Sequence, residues 1–346
     1  MAVVTVEEAL QLWEKALDTQ VYKVEMIDVK SAKGYVLAED IVAPTDVPAF
    51  SKSAMDGYAT AFSADCNEYI VDGVIGAGVV WEQPVGLGHA VRIMTGAPVP
   101  DTCDTVIMQE QVVGSGEPGT TITIQGKYKC DDHIIPQGEE CSAGTIVIPR
   151  GTEVTSTVQT VLTGLGLTEV AVIAMPRVLV LTSGHEVIEP GEILTAGKIY
   201  NSNRAMICGL LEDLGFHKIK HYHVSDAPEE LESEINHVLQ LSEDADIIIS
   251  SGGVSVGLFD TMPLIYEKLG AKSIYERIQM RPGAASYGAV TPKGQIIFGL
   301  SGNPGAAFNG WHLIVAPTLK RYKGLKNWTT PVVACVMDSE IFKRNA

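Results

Sequence analysis

Three stretches in the second half of the chain combine glycines, hydroxyls and carboxylates in a way that suits anion chemistry. The first is Leu181-Thr182-Ser183-Gly184-His185-Glu186. The second is Ser250-Ser251-Gly252-Gly253-Val254-Ser255-Val256-Gly257, closed by Asp260. The third is Gly299-Leu300-Ser301-Gly302-Asn303-Pro304-Gly305. Each follows a short apolar run. Glycine lets backbone N–H groups approach a ligand, serine adds hydroxyl donors, and a helix start after Pro304 adds a favourable dipole. Ser183, Gly184, Ser250, Ser251, Gly252, Gly253, Ser255, Gly302, Asn303 and Pro304 are therefore candidate phosphate-binding residues. Glu186, Asp226 and Asp260 sit at or near loop ends on the same expected edge. A few carboxylates beside a phosphate suit Mg²⁺, which completes its shell with phosphate and water. Asp226 reads equally well as a helix N-cap, with Pro228 in the first turn. Arg277 and Arg281 place two cations on a short strand and turn, and the planar guanidinium suits phosphate.

The elements that position these residues alternate between strand and helix. Val178–Leu181 reads as a buried strand, Ile199–Gly215 as a helix, Ile219–Val224 as a strand, and a helix follows Asp226. Asp246–Ile249 and Ile296–Leu300 read as strands, Pro263–Leu269 and Ala306–Lys320 as helices. Such alternation predicts a doubly wound, mostly parallel α/β domain whose loops meet at the carboxyl edge of the sheet. The first half differs. Thr5 and Glu8 form a capping box before a helix carrying Ala9, Leu12, Trp13, Ala16 and Leu17, and Val21–Val29 reads as a strand. From Ala43 to about Pro149, short Val/Ile runs separated by Gly, Pro and Asp predict a β-rich module. The expected division is 1–45 with 141–176 as a discontinuous linker domain, 46–140 as the β-rich domain, 177–324 as the α/β domain, and 325–346 as the start of a further β domain.

Composition narrows the function classes. The chain has 346 residues, with 25 Lys+Arg against 42 Asp+Glu, a formal charge of −17. That balance speaks against nucleic acid or an anionic membrane as the main partner. An apolar fraction of 46% excludes a largely disordered chain, and no run approaches the ~20 apolar residues of a membrane helix. Six cysteines without C-x-x-C spacing read as reduced thiols of a cytoplasmic protein. There is no G-x-G-x-x-G after a strand, and Gly191–Lys198 misses the P-loop pattern, with Ile199 where Ser or Thr belongs.

Two stretches in the β-rich half, Ser53-Ala54-Met55-Asp56-Gly57-Tyr58-Ala59 and Arg92-Ile93-Met94-Thr95-Gly96-Ala97-Pro98, read from composition alone as turns. Together with Ser183–Glu186, Tyr200–Asn203, Ser250–Asp260, Met280–Gly283 and Leu300–Pro304, in this order, they strongly resemble the molybdopterin molybdenumtransferase family (bacterial MoeA and the E domain of gephyrin). The resemblance runs from about residue 5 to 325. It implies insertion of molybdenum from molybdate into adenylylated molybdopterin, with Mg²⁺-dependent hydrolysis of the adenylate and release of AMP. It implies catalytic roles for Asp56, Thr95, Glu186 and Asp260, with Asp260, Glu186 and Asp226 on the metal. A homodimer with a cleft shared between subunits, and a molybdopterin adenylyltransferase as a possible partner, are implied in the same way. The chain departs from the family pattern at His185, where an Asp is usual, at Leu258, at Arg277 and Arg281 in place of lysines, and at Ala284 and Ser301. The altered loop at His185, with only the start of the family's usual C-terminal β domain expected at 325–346, leaves a rival reading, a molybdopterin-binding scaffold with weakened turnover. Other enzymes built on the α/β domain alone, the molybdopterin adenylyltransferases and competence-damage-type nucleotide hydrolases, lack the Ser53–Ala59 and Arg92–Ala97 segments.

Overall fold

A computed structural model describes residues 3–18, 20–253, 261–331 and 333. Ser255, Leu258 and Asp260, and the C-terminal strand expected near 332–337, lie outside the described residues. The chain divides into two compact units: residues 40–149 with 161–167, and residues 1–39 with 150–160 and 168–346.

The first unit is the β-rich one. Its strands are β1 (Gly57–Thr60), β2 (Glu68–Ile75), β3 (His89–Ile93), β4 (Thr105–Met108), β5 (Val112–Val113) and β6 (Thr121–Ile124). They form one six-stranded sheet in the order β4-β1-β3-β2-β6-β5. All pairings are antiparallel except β2 with β3. Strand β2 shows strict alternation, with Tyr69, Val71, Gly73 and Ile75 buried between exposed neighbours, the period-2 signature of a half-buried strand. β1 is buried at every position because both of its faces are covered. Ala59, Val91 and Val106 pack in one cluster, while Tyr58, Ala90 and Ile107 pack in the other. Gly57 cannot be replaced, since a Cβ there would lie 2.0 Å from the Ile107 carbonyl oxygen.

The second unit carries the α/β sheet. The chain's first two helices are α1 (Val6–Leu17) and α2 (Ser156–Gly164). The Thr5–Glu8 capping box forms in both directions, with Glu8 N donating to Thr5 Oγ1 at 3.1 Å and Thr5 N to Glu8 Oε2 at 2.7 Å. The sheet consists of β7 (Val178–Ser183), β8 (Ile219–Val224), β9 (Ile247–Ser251), β10 (Lys272–Tyr275), β11 (Tyr287–Val290) and β12 (Ile296–Leu300), ordered β8-β7-β9-β12-β11-β10. The first four in that order are parallel, and β11 and β10 extend the sheet antiparallel. A doubly wound parallel core is thus present, with two antiparallel edge strands that the run of short segments after Leu269 did not announce.

Between the strands lie α3 (Ser202–Asp213), α4 (Leu231–Ser242) and α5 (Met262–Lys268), and after β12 come α6 (Pro304–Gly310) and α7 (Ala316–Tyr322), joined by a π-helical turn over Trp311–Val315. On one face of the sheet, Val178, Val180, Ile249 and Phe298 pack against Trp13, Ile207, Leu211 and Trp311. On the other, Leu179, Leu181, Ile248 and Ile297 pack against Val238, Ile265 and Tyr266. Helix α4 begins at Leu231, so Asp226 is not its N-cap. Pro228 falls instead in a turn whose Glu230 N–H donates to Ala227 O at 3.0 Å, which leaves the Asp226 carboxylate for other work. Five cysteines among the described residues are free thiols. No helix among the described residues is long and apolar enough to cross a membrane.

A buried lysine ties three segments of this unit. Lys323 Nζ donates to Leu214 O at 2.7 Å and to Gly34 O at 2.9 Å, lies 4.0 Å from Glu153 Oε1, and sits 5.6 Å from the Phe216 ring centre. Burial holds its pKa below the ordinary lysine value. Removing the donor leaves two carbonyls unanswered, so Lys323→Met should cost about 1–3 kcal/mol in urea unfolding. An unchanged midpoint would show that water replaces the ammonium without penalty.

Candidate functional site

Parallel pairing sets the level at which three loops leave the sheet. Leu181 lies opposite Ser250 and Thr182 opposite Ser251; Ser251 in turn lies opposite Leu300. The loops starting at Gly184, Gly252 and Ser301 therefore emerge side by side at the carboxyl ends of β7, β9 and β12. Between them is a cavity of about 360 Å³ lined by Thr182–Val187, Ile199, Asn201, Asn203, Asp226, Ser251–Gly253, Ala285, Ser301 and Gly302. A larger cavity of about 470 Å³ lies at the opposite edge, beside Arg177, Asp246 and Ile296 at the amino ends of the strands. The smaller one has the position at which ligands bind in doubly wound sheets.

Glycine is required in these loops chiefly for their approach to one another. A Cβ on Gly252 (φ +90°) would lie 2.7 Å from Ser183 O at the end of β7, while Gly184 is required by its φ of +130°. The serines also differ from expectation. Ser250 is fully buried, does not line the cavity, and bonds the Tyr266 hydroxyl through its own. Burial pushes the Tyr266 phenol well above its ordinary range. Ser251 Oγ donates to Ser301 O at 3.1 Å and accepts from Asn203 Nδ2 at 2.8 Å. Asn303 caps α6 by accepting from Ala306 N at 3.1 Å, with Pro304 in the first turn, and neither residue lines the cavity. Of the expected phosphate-binding residues, Ser183, Gly184, Ser251, Gly252, Gly253 and Gly302 are brought together. Arg277 and Arg281 do not reach the wall.

A network beneath the cavity floor fixes the end of β7. Thr182 Oγ1 accepts from Asn201 Nδ2 at 3.0 Å and lies 3.1 Å from both His221 Nε2 and His223 Nδ1. A hydroxyl has one proton to give and two lone pairs, so one imidazole must present a bare nitrogen. Asn201 Nδ2 also donates to Glu189 Oε1 at 2.9 Å, and Arg204 pairs with Glu189 Oε2 at 2.6 Å. Burial and the Arg204 charge bring the His221 pKa down to about 4, against the opposing pull of Glu189.

The carboxylates form a small cluster. His185, Glu186 and Asp226 present ligand atoms within 4.8 Å of one another. His185 Nδ1 lies 3.8 Å from Asp226 Oδ2 and 3.9 Å from Glu186 Oε2. Asp226 Oδ1 is buried without a hydrogen-bond partner. Two carboxylates, one holding an unanswered oxygen, fit a divalent cation, and His185 adds a nitrogen where the family pattern has oxygen. In the β-rich unit, Asp56 and Thr95 do meet. Asp56 Oδ1 accepts from the Thr95 amide and hydroxyl, both at 2.7 Å. The amide bond first, then the hydroxyl, hold the Asp56 pKa below the ordinary carboxylate value.

A family model described as the MoeA N-terminal region (domain I and II) matches residues 4–166, and one for a probable molybdopterin binding domain matches residues 179–321. A molybdopterin molybdenumtransferase of Staphylococcus epidermidis is 37% identical over 330 residues, spanning 92% of this chain and 76% of that protein. The chain belongs to the molybdopterin molybdenumtransferase family. It is thus a member of a family of transferases. A Staphylococcus aureus member is 36% identical over 326 residues, with the same two coverages. The crystal structure of a molybdopterin biosynthesis MoeA protein from Pyrococcus horikoshii superposes with a TM-score of 0.77 at 26% identity, covering 94% of this chain and 81% of that one.

Thr182 and His185 belong to a loop that the sequence singled out, whereas Asn201 and Asn203 line the cavity without a role assigned from their residue types. The signal available was Asn201-Ser202-Asn203, since Asn is a strong helix cap and marks the true start of α3. The His221 network gives a pH prediction. Its pKa is lower in the folded chain than the ordinary 6.5. The unfolded chain therefore binds the extra proton first, and stability present above pH 6.5 is lost as pH falls toward about 4. His221→Gln should flatten that part of a urea-midpoint-against-pH curve. Parallel curves for the two proteins would remove His221 from the account.

Proposed function

We propose that this chain transfers molybdenum from molybdate onto the dithiolene of adenylylated molybdopterin, while water cleaves the adenylate and AMP leaves. The observation that carries the reading is the cavity where the loops after β7, β9 and β12 converge, with the unanswered Asp226 carboxylate in its wall. A divalent cation at this place would be held by Glu186 and Asp226, with Asp260 as a further proposed ligand. When bound, such a cation neutralises charge that builds on a phosphoryl oxygen.

The chain's own residues orient the substrate. β10 runs parallel to β12 through the antiparallel β11, so Arg277 and Arg281, which follow β10, leave the sheet at the same carboxyl edge as the three loops. The loops that line the cavity offer backbone N–H groups and hydroxyls to the substrate beside the cation, and the two exposed arginines offer their forks to phosphate further along that edge. Asp56 and Thr95, a rigid pair with an ionised carboxylate, are assigned to the reaction by family resemblance. Catalysis on this account is positioning and charge stabilisation, without a covalent nucleophile. The same reading takes the protein as a cytoplasmic homodimer that receives its substrate from a molybdopterin adenylyltransferase.

The test is AMP release from the adenylylated pterin with and without molybdate. Release that requires both molybdate and Mg²⁺ is the expected result. Asp226→Asn should weaken Mg²⁺ binding, read by calorimetry, about tenfold or more, the scale of losing one charged hydrogen-bonding or ligating partner. Binding of the pterin without any turnover would favour the scaffold reading, and unchanged Mg²⁺ affinity in Asp226→Asn would remove that residue from the cation site.

A further inference from the structure

The turn that carries His185 and Glu186 is pinned by the short parallel pair Val187–Ile188 and Ile199–Tyr200. Val187 N donates to Gly184 O at 3.0 Å and Ile199 N to Glu186 O at 2.8 Å, while Lys198 Nζ donates to His185 O. Both backbone carbonyls are thus engaged, yet the His185 side chain stays 82% exposed. Asp226 follows the end of β8, where Ser225 N donates to Glu234 Oε2 at 3.2 Å and Ala227 N to Ser225 Oγ at 3.3 Å. Its side chain is only 14% exposed.

The three side chains meet at separations that hydrogen bonding does not explain. His185 Nδ1 lies 3.8 Å from Asp226 Oδ2 and 3.9 Å from Glu186 Oε2, both too long for hydrogen bonds. An ion bonded at about 2.0–2.2 Å to each of two ligand atoms holds those atoms about 3–4 Å apart, which is the spacing found here. Charge points the same way. Among the described residues, no lysine or arginine pairs with Glu186 or Asp226, and the His185 ring makes no hydrogen bond. A mostly buried carboxylate without a counter-charge is costly. A cation at Asp226 Oδ2, the oxygen nearest His185 Nδ1, neutralises the carboxylate as a whole without reaching Oδ1.

What sets this donor group apart is its nitrogen. Mg²⁺ takes oxygen ligands in near-ideal octahedral geometry and keeps several waters. Neutral imidazole suits the borderline first-row ions, and three protein ligands with an open position are the usual set for such an ion that goes on to bind substrate. We propose that His185 is a metal ligand through Nδ1, and that its nitrogen makes this site take an ion of the Zn²⁺ and Co²⁺ class in preference to Mg²⁺. The inference rests on the cation site of the proposed function and names the class of ion held there most tightly. Mg²⁺ at higher concentration occupies the same two carboxylates.

The experiment uses the whole chain, stripped of metal by chelation, with Co²⁺, Zn²⁺ and Mg²⁺ as the probes. Affinities are read by calorimetry in the wild type, in His185→Asp, which replaces the nitrogen donor by oxygen, and in Asp226→Asn; thermal melting confirms that each variant is folded. The wild type should bind Co²⁺ and Zn²⁺ at least about tenfold more tightly than Mg²⁺, and that ratio should fall at least about tenfold in His185→Asp while Mg²⁺ affinity is retained. Asp226→Asn should weaken all three ions. Proton NMR of the Co²⁺-loaded wild type should show a paramagnetically shifted, solvent-exchangeable imidazole N–H that His185→Asp lacks. An unchanged ratio, or no such signal in the wild type, would overturn the role of His185 and leave the Mg²⁺ site standing; the wild-type spectrum decides this even if a variant does not fold. Failure of all three ions to bind, or binding that Asp226→Asn leaves untouched, would overturn the cation site and this inference with it.

Discussion

Everything at the candidate site depends on the parallel registration of three strands. β7, β9 and β12 are buried at every position, so their apolar side chains can face only the two cores above and below the sheet. Slipping one strand by a residue would turn every one of those side chains to the wrong face. The register is thereby fixed, and with it the level at which Gly184, Gly252 and Ser301 leave the sheet. The loops then pack on one another through glycine, as the 3.4 Å between a Gly302 Cβ and Gly252 Cα would show. Rigid strands and mutually wedged loops give the cavity its shape before any ligand arrives, the condition under which positioning contributes most to rate.

Much of this order was legible in the sequence because it rests on local chemistry. The Thr5–Glu8 box, the continuous apolar run at Val178–Leu181 and the glycine loops each announce themselves over a few residues. Less legible were features decided by distant partners. Lys272–Tyr275 and Tyr287–Val290 are short and become strands through pairing alone, so the antiparallel edge was missed. Ser250 looked like a ligand donor but turns its hydroxyl to Tyr266, sixteen residues on. Asp226 looked like a cap because Pro228 follows it, and the turn at 227–230 delays the helix until Leu231.

The distribution of polar groups also gives the acidic composition a meaning. A chain at −17 has few cations to place, and Arg204 is engaged with Glu189 beneath the cavity rather than in it. Burial with that charge keeps His221 neutral down to about pH 4. In the cavity wall Asp226 Oδ1 is buried without a partner. The carboxylates there suit a cation, while the anionic part of the substrate is left to backbone N–H groups, the loop hydroxyls and the arginines further along the same edge.

Amide hydrogen exchange of the whole chain, with and without adenylylated molybdopterin, tests this division of labour most directly. The account predicts slowed exchange over 182–187, 201–204, 251–253 and 301–303, with no change around Arg177, 243–246 and 293–296 at the opposite edge. Protection confined to that opposite edge, where the larger cavity lies, would contradict it.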